Sequence, residues 1–303
     1  MICDAHVHFF SPGFFAGLGA TREALAGIGW DAAVSAAALA DRWVAELDRH
    51  RVSQAALIAS LPGDADSVAA AIAQHPSRFV GFFMLDPTRA EAIADATRAL
   101  DAGLRTICLF PAMHKYALHD DRVTRVFELA NSYSSPTRTA GPSPTPTEGR
   151  RPAVFVHCGV LSVGVRTKLG LSSPFDIRFG NPLDLHGLAL KFPSVPVVIP
   201  HFGAGLLREA LMVASLCPNV YLDTSSSNSW IKQTPGLTLE QVFRTSLEVI
   251  GPGRLLFGTD SSFFPRGWNQ AVYDTQKAAL DRLAVPAADQ EQIFAGNFCR
   301  LFR

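Results

Sequence analysis

The chain has 303 residues, 48% of them hydrophobic, and its 27 acidic and 27 basic side chains give a formal net charge of zero. This length can bury a large core, and barrels of such a size often form one domain, so we expect a single domain over residues 1–303. The lack of a basic excess speaks against binding to nucleic acid or to an anionic membrane.

The N-terminal segment has neither the basic start nor the apolar run of a signal peptide, and no part of the sequence approaches the ~18 apolar residues of a membrane span. The five cysteines are scattered and form no Cys-x-x-Cys pair, which favours reduced thiols over disulfides or a zinc knuckle. We therefore expect a cytoplasmic protein whose partner is a small-molecule substrate.

The first predicted strand, residues 1–10, carries His6 and His8. Side chains two residues apart point to the same face of a strand, so both imidazoles can reach one metal ion. A single His-x-His also occurs by chance on half-exposed strands. Its value as evidence depends on where other metal-binding residues fall.

Alternating patterns along the rest of the chain predict a barrel. Apolar runs predict strands at 1–10, 55–59, 79–84, 106–110, 153–157, 197–201, 220–223 and 255–260. Amphipathic segments predict helices at about 37–50, 64–75, 89–102, 121–131, 183–192, 205–216, 239–250 and 269–283. Eight alternations of nearly continuous apolar strands with helices favour a (β/α)8 TIM barrel. A doubly wound open sheet is the alternative, but no strand is followed by a glycine-rich phosphate loop.

Residues 134–151 depart from this alternation because they are rich in proline, serine and threonine and almost free of apolar side chains. Such a composition predicts disorder. The segment lies between the fourth predicted helix and the fifth strand, which in a barrel is the face opposite the site. We interpret it as a tolerated surface insertion rather than a binding motif.

Three later predicted strands end in a residue that can bind a metal: His157, His201 and Asp260. The carboxyl ends of parallel strands are where α/β folds build their sites. Three neutral imidazoles and one carboxylate suit a borderline metal such as zinc. The remaining five histidines lie in helical or loop-like stretches, where surface or capping roles are more common.

This order of residues resembles the amidohydrolase superfamily, and within it the amidohydrolase-2 branch of decarboxylases and lactone hydrolases. The similarity extends through the segments at 197–205, 219–225, 256–260 and 296–302. The resemblance implies that His6, His8, His157 and Asp260 bind one divalent metal, with Zn²⁺ the expected ion. It also implies that His201 is the catalytic imidazole. A homodimer is compatible with the resemblance.

Many superfamily members carry a bridging Lys or Glu at the end of the fourth strand, which permits a second metal. Here that strand ends Leu109-Phe110-Pro111, and none of these side chains can bridge two ions. One metal is therefore expected. Asp260 could then act both as a ligand and as a proton acceptor, while the imidazole of His201 suits a base near neutral pH.

The loops after the strands supply candidate substrate-binding residues. These are Arg166, Arg178, Trp230, Phe263 and Arg266. Cations and aromatic rings near a metal would suit a planar ring or a carboxylate, because arginine pairs with carboxylate through two hydrogen bonds. For any one of them a solvated or packing role is at least as common.

Two reaction classes remain open. One is hydrolysis of a small cyclic ester or amide, or of a carboxylated substrate, through water activated by the metal. The other is nonoxidative decarboxylation of an unsaturated or aromatic carboxylic acid. The same residues serve both, and a fold cannot choose between them. The His-x-His pair with one metal and an aspartate on strand eight favours the hydrolase.

Overall fold

A computed structural model of the chain describes residues 1–133, 151–226 and 228–303. Eight strands form one parallel sheet in sequential order: β1 Cys3–Phe9, β2 Gln54–Ala59, β3 Phe79–Leu85, β4 Thr106–Leu109, β5 Ala153–Val156, β6 Val197–Ile199, β7 Val220–Asp223 and β8 Leu255–Leu256. The predicted (β/α)8 TIM barrel is confirmed. Of the predicted insertion at 134–151, all but Arg151 lies outside the described residues.

The described helices include one at each of the eight predicted positions and six short helices that were not predicted. The helices are α1 Pro12–Gly17, α2 Arg22–Gly27, α3 Ala36–Arg49, α4 Ala65–Gln74, α5 Ala92–Asp101, α6 Pro111–His114, α7 Asp121–Ser132, α8 Gly164–Lys168, α9 His186–Lys191, α10 Leu207–Leu216, α11 Leu239–Ile250, α12 Gln270–Arg282, α13 Ala287–Glu291 and α14 Asn297–Phe302. The six that were not predicted are α1, α2, α6, α8, α13 and α14. The predicted helix at 183–192 is a 3₁₀ turn, Pro182–Leu185, that continues into α9. None of the described helices is long and apolar enough to cross a bilayer.

Backbone hydrogen bonds between β1 and the chain after β8 bring the two ends of the sheet together. The amide of Ala5 donates to the carbonyl of Phe257 at 2.8 Å, and the amide of His8 donates to Ser261 at 2.7 Å. The amide of Asp260 donates back to the carbonyl of His6 at 2.9 Å. Asp260 is therefore placed beside β1, although β8 itself ends four residues earlier.

A buried carboxylate reinforces this junction. Asp4 is fully buried, and it accepts hydrogen bonds from the backbone amides of His6 and Thr259, the hydroxyl of Thr259 and the indole of Trp268. A buried charge is tolerated only when its hydrogen-bonding capacity is satisfied. Asp4 thus fastens β1 to the segment that carries Asp260.

Candidate metal centre

His6 and His8 lie on the same face of β1, as their spacing predicts. Their Nε2 atoms are 3.4 Å apart. The Oδ1 atom of Asp260 lies 3.2 Å from Nε2 of His8 and 3.8 Å from Nε2 of His6. One set of described side chains with ligand atoms within 4.8 Å of one another is therefore His6, His8 and Asp260.

His6 is oriented by Asp223, the last residue of β7. Its Nδ1 lies 2.7 Å from Oδ2 of Asp223, and both side chains are 1% exposed. A carboxylate accepts, so Nδ1–H donates to it, and in the neutral ring Nε2 keeps the lone pair that a metal ion can take. Burial lowers the pKa of His6, but the charge of Asp223 and its hydrogen bond outweigh burial and raise that pKa overall.

His8 is oriented by Ser60, which directly follows β2. The Ser60 hydroxyl donates its single hydrogen to the carbonyl of Ile58 at 3.0 Å. Nδ1 of His8 lies 2.6 Å from the same hydroxyl oxygen, so Nδ1–H is the donor there. Nε2 of His8 is then also unprotonated. Burial lowers the pKa of His8, which keeps the ring neutral.

Asp260 has a left-handed backbone, with φ of 57°. Non-glycine residues in this region are uncommon and are held there by their surroundings, often at functional sites. Burial alone would raise the pKa of Asp260, but the neighbouring imidazoles of His8 and His6 lower it well below its usual range. Asp260 is therefore a carboxylate at neutral pH.

His157 follows β5 and lines the same cavity as His6, His8 and Asp260. Its ring stacks on Phe110, with centroids 5.5 Å apart. Burial, then the neighbouring His201, lowers the pKa of His157 well below its usual value. Its buried Nδ1 has no hydrogen-bond partner among the described residues. His157 lies outside the tighter set formed by His6, His8 and Asp260.

His201 follows β6, and its backbone is also left-handed, with φ of 55°. Its ring centroid lies 5.0 Å from that of His6 and 5.2 Å from that of His157. Burial, then the charge of His6, lowers the pKa of His201. The side chain is thus a neutral imidazole beside the candidate metal centre, as expected for a base.

These donors fit a divalent cation. Two bare Nε2 atoms facing each other at 3.4 Å repel unless positive charge lies between them. A carboxylate oxygen completes the set, and imidazole with carboxylate suits zinc. The unpartnered Nδ1 of His157 is a further buried polar atom that a bound ligand can satisfy. The residues present therefore match the group that the sequence predicts.

A cavity of about 310 Å³ opens over this centre. Its aromatic lining consists of Phe10, Phe14, Trp30, Phe110 and Phe263. The Trp30 and Phe263 rings stack with centroids 4.1 Å apart, and the guanidinium of Arg266 covers Phe263 at 4.5 Å. Among the described residues that line the cavity, the cations are Lys168 and Arg266.

Of the five candidate substrate-binding residues, Phe263 and Arg266 line this cavity. The other three are held elsewhere. Arg166 donates to the carbonyl of Ser172, Arg178 pairs with Asp176 at the surface, and buried Trp230 donates to Asn228. Each of these contacts is made with a residue close in sequence. Each gives the side chain a hydrogen-bond partner without a substrate.

The sequence profile of the Amidohydrolase family, Amidohydro_2, matches residues 3–303. The chain belongs to the amidohydrolase family. Protein fluG of Emericella nidulans is 36% identical over 101 residues, which are 33% of this amidohydrolase and 11% of that protein. The chain therefore spans only about a tenth of the curated relative that it matches.

Solved structures share the fold of this amidohydrolase. A TIM-barrel protein from Bordetella bronchiseptica is 19% identical with a TM-score of 0.64, covering 99% of this chain and 97% of that one. A probable 2-pyrone-4,6-dicarboxylic acid hydrolase from Acinetobacter baumannii is 16% identical, with a TM-score of 0.62 and coverage of 99% and 98%. A zinc-bound amidohydrolase from Burkholderia multivorans is 13% identical, with a TM-score of 0.57 and coverage of 100% and 99%.

Sequence reasoning missed the residues that orient the amidohydrolase's histidines, Asp223 and Ser60. Each follows or ends an apolar strand, which is the signal that identified His157 and His201. A search for every polar residue at the end of a strand, and not only for metal ligands, would have found both residues. It could not have paired Asp223 with His6, because 217 residues separate them.

Proposed function

We propose that this amidohydrolase is a metal-dependent hydrolase of a small cyclic ester or amide, or of a related carboxylated substrate. The observation that carries the proposal is the convergence of Nε2 of His6, Nε2 of His8 and Oδ1 of Asp260. Asp223 and Ser60 direct both bare nitrogens to that point, so the set is preorganised before any ligand arrives.

A single Zn²⁺ held by His6, His8 and Asp260, with His157 as the fourth expected ligand, would supply Lewis acidity and activate a water molecule near neutral pH. His201 is the base beside this centre. Its imidazole takes a proton from the attacking water and returns it to the oxygen or nitrogen that leaves the acyl carbon. Since ring opening by water gives a single product molecule, the cavity has to hold only one organic molecule.

The cavity favours a flat substrate with a negative charge. Five aromatic rings from the described residues line the cavity, among them those of Trp30 and Phe263, and Lys168 and Arg266 place positive charge on the lining. A volume of about 310 Å³ is at the lower end of small-molecule sites. A lactone ring that bears a carboxylate meets all three conditions, and a structural neighbour is named for the hydrolysis of such a compound.

Carbon dioxide release and ring opening can be measured on the same protein. We expect zinc-loaded enzyme to open carboxylated lactones such as 2-pyrone-4,6-dicarboxylic acid or dihydrocoumarin derivatives, and to release no carbon dioxide from benzoate-type acids. A chelator should abolish turnover and Zn²⁺ should restore it. Carbon dioxide release without lactone opening would replace the hydrolase with a carboxy-lyase, and turnover indifferent to chelation would remove the metal from the mechanism.

A further inference from the structure

Ser225 lies between two histidines of the site. It follows β7 and is fully buried. Its hydroxyl oxygen is 2.9 Å from Nδ1 of His6 and 2.9 Å from Nδ1 of His201. A single hydroxyl therefore touches both a candidate metal ligand and the candidate base.

The hydrogen on the His201 ring can be placed from its contacts. The carbonyl oxygen of Ser225 lies 3.3 Å from Nδ1 of His201, and a carbonyl can only accept. Nδ1 therefore carries the hydrogen, which the hydroxyl oxygen of the same serine also accepts at the shorter distance of 2.9 Å. In the neutral ring, Nε2 is then left with the lone pair that a base needs.

Asp223 places the serine. Its Oδ1 accepts from the backbone amide of Ser225 at 2.5 Å, while its Oδ2 faces Nδ1 of His6. Because Nδ1 of His6 donates to the carboxylate, the serine hydroxyl cannot donate to that nitrogen. The oxygen of Ser225 is thus free to serve as an acceptor for His201, and the carboxylate that orients His6 also fixes this acceptor.

We propose that Ser225 is a positioning residue that holds His201 in the tautomer with a bare Nε2 and fixes its ring relative to His6. The left-handed backbone of His201 costs free energy, and contacts such as this one must hold it. The effect on turnover rests on the proposed hydrolase function. The assignment of the His201 tautomer does not depend on that function.

The test compares Ser225→Ala with Ser246→Ala, a matched control. Ser246 is also fully buried, and its hydroxyl donates to the carbonyl of Val242 within α11, away from the site. We expect Ser225→Ala to keep one zinc per chain and a KM within about two-fold, and to lower kcat about 10- to 100-fold, below the full contribution of a general base. Ser246→Ala should leave kcat unchanged.

A second readout is the ¹⁵N spectrum of the His201 ring in zinc-loaded protein. We expect hydrogen on Nδ1 in the wild type and a mixture of tautomers in Ser225→Ala. Hydrogen on Nε2 in the wild type would overturn the proposal, even if the variant failed to fold. An unchanged tautomer with loss of zinc in Ser225→Ala would also overturn it, because the hydroxyl would then serve His6. If the wild type opened no lactone, the proposed function would fail while the tautomer could still be read.

Discussion

Nε2 of His6 and Nε2 of His8 face each other at 3.4 Å, and each is left unprotonated by a hydrogen bond at the opposite side of its ring. Neither ring can turn away without breaking the contact of its Nδ1 with Asp223 or Ser60. The two strand residues therefore form a preset pair, and the free energy of orienting them is supplied by the fold rather than by the ligand.

Weakening this orientation should weaken metal binding. Asp223→Asn keeps the shape of the side chain but replaces the carboxylate with an amide, which holds the ring less firmly. We expect zinc affinity to fall about 10- to 100-fold, the range typical for partners of metal-binding histidines. Competition with a chromophoric chelator measures it. Asp176→Asn, which alters only a surface pair with Arg178, should leave the affinity unchanged.

His201→Asn should separate catalysis from metal binding. A general acid or base contributes about 10²–10⁴-fold, so kcat should drop by at least two orders of magnitude. Zinc content should stay near one per chain, and the melting temperature should move by a few degrees at most. If this variant lost its zinc, His201 would be a ligand. A near-normal kcat would instead leave Asp260 as the base.

Gly258 has no room for a side chain beneath the site. A Cβ atom there would lie 2.9 Å from Cβ of His6 and 2.9 Å from Cβ of Ser225. We expect Gly258→Ala to destabilise the fold by about 1–3 kcal/mol, the usual cost of overpacking, and to reduce zinc affinity by displacing His6.

The matched control is Gly187→Ala, because a Cβ atom at Gly187 meets nothing within 4 Å and the residue lies in α9. Alanine there should raise stability slightly, by about 0.5–1 kcal/mol. Denaturant melts of both variants provide the comparison. Equal stability of the two would contradict the packing around His6.

The fold and most of the candidate site could be predicted from sequence patterns because both depend on local periodicity. Apolar runs gave all eight strands, and the rule that sites form at strand ends brought His157, His201 and Asp260 to one cavity with the His-x-His pair. The positions of Arg178 and Trp230 could not be predicted, since each is decided by a neighbouring hydrogen-bond partner that competes with the cavity.

Two tryptophan variants measure how much the hydrogen bond from Trp268 to Asp4 stabilises the junction between β1 and the chain after β8. The indole of Trp268 donates to Oδ2 of Asp4 at 2.7 Å, whereas the buried indole nitrogen of Trp43 has no partner among the described residues. Both side chains are buried, so the change to phenylalanine removes similar volume. Trp268→Phe should cost more stability than Trp43→Phe by about 1.5–3 kcal/mol, the value of a hydrogen bond to a charged group. Equal unfolding midpoints would mean that Asp4 does not need the indole.

Arg266 should bind the negative charge of the substrate. Arg266→Gln should raise KM for a carboxylated lactone about 10- to 100-fold and leave KM for its uncharged ester unchanged, because one charge-assisted hydrogen bond contributes about 1.5–3 kcal/mol. Arg178→Gln is the control, since that side chain is 84% exposed and paired with Asp176. An equal effect on both substrates would assign Arg266 to loop packing over Phe263.

Titration of metal-free protein with Zn²⁺, followed by elemental analysis and by lactone opening in the same samples, measures how many zinc ions the activity requires. The site built by His6, His8 and Asp260 predicts that activity rises linearly and stops at one zinc per chain. His6→Ala should bind zinc at least ten-fold more weakly. Full activity without zinc, or activity that requires two ions per chain, would rule out a single catalytic zinc at this site.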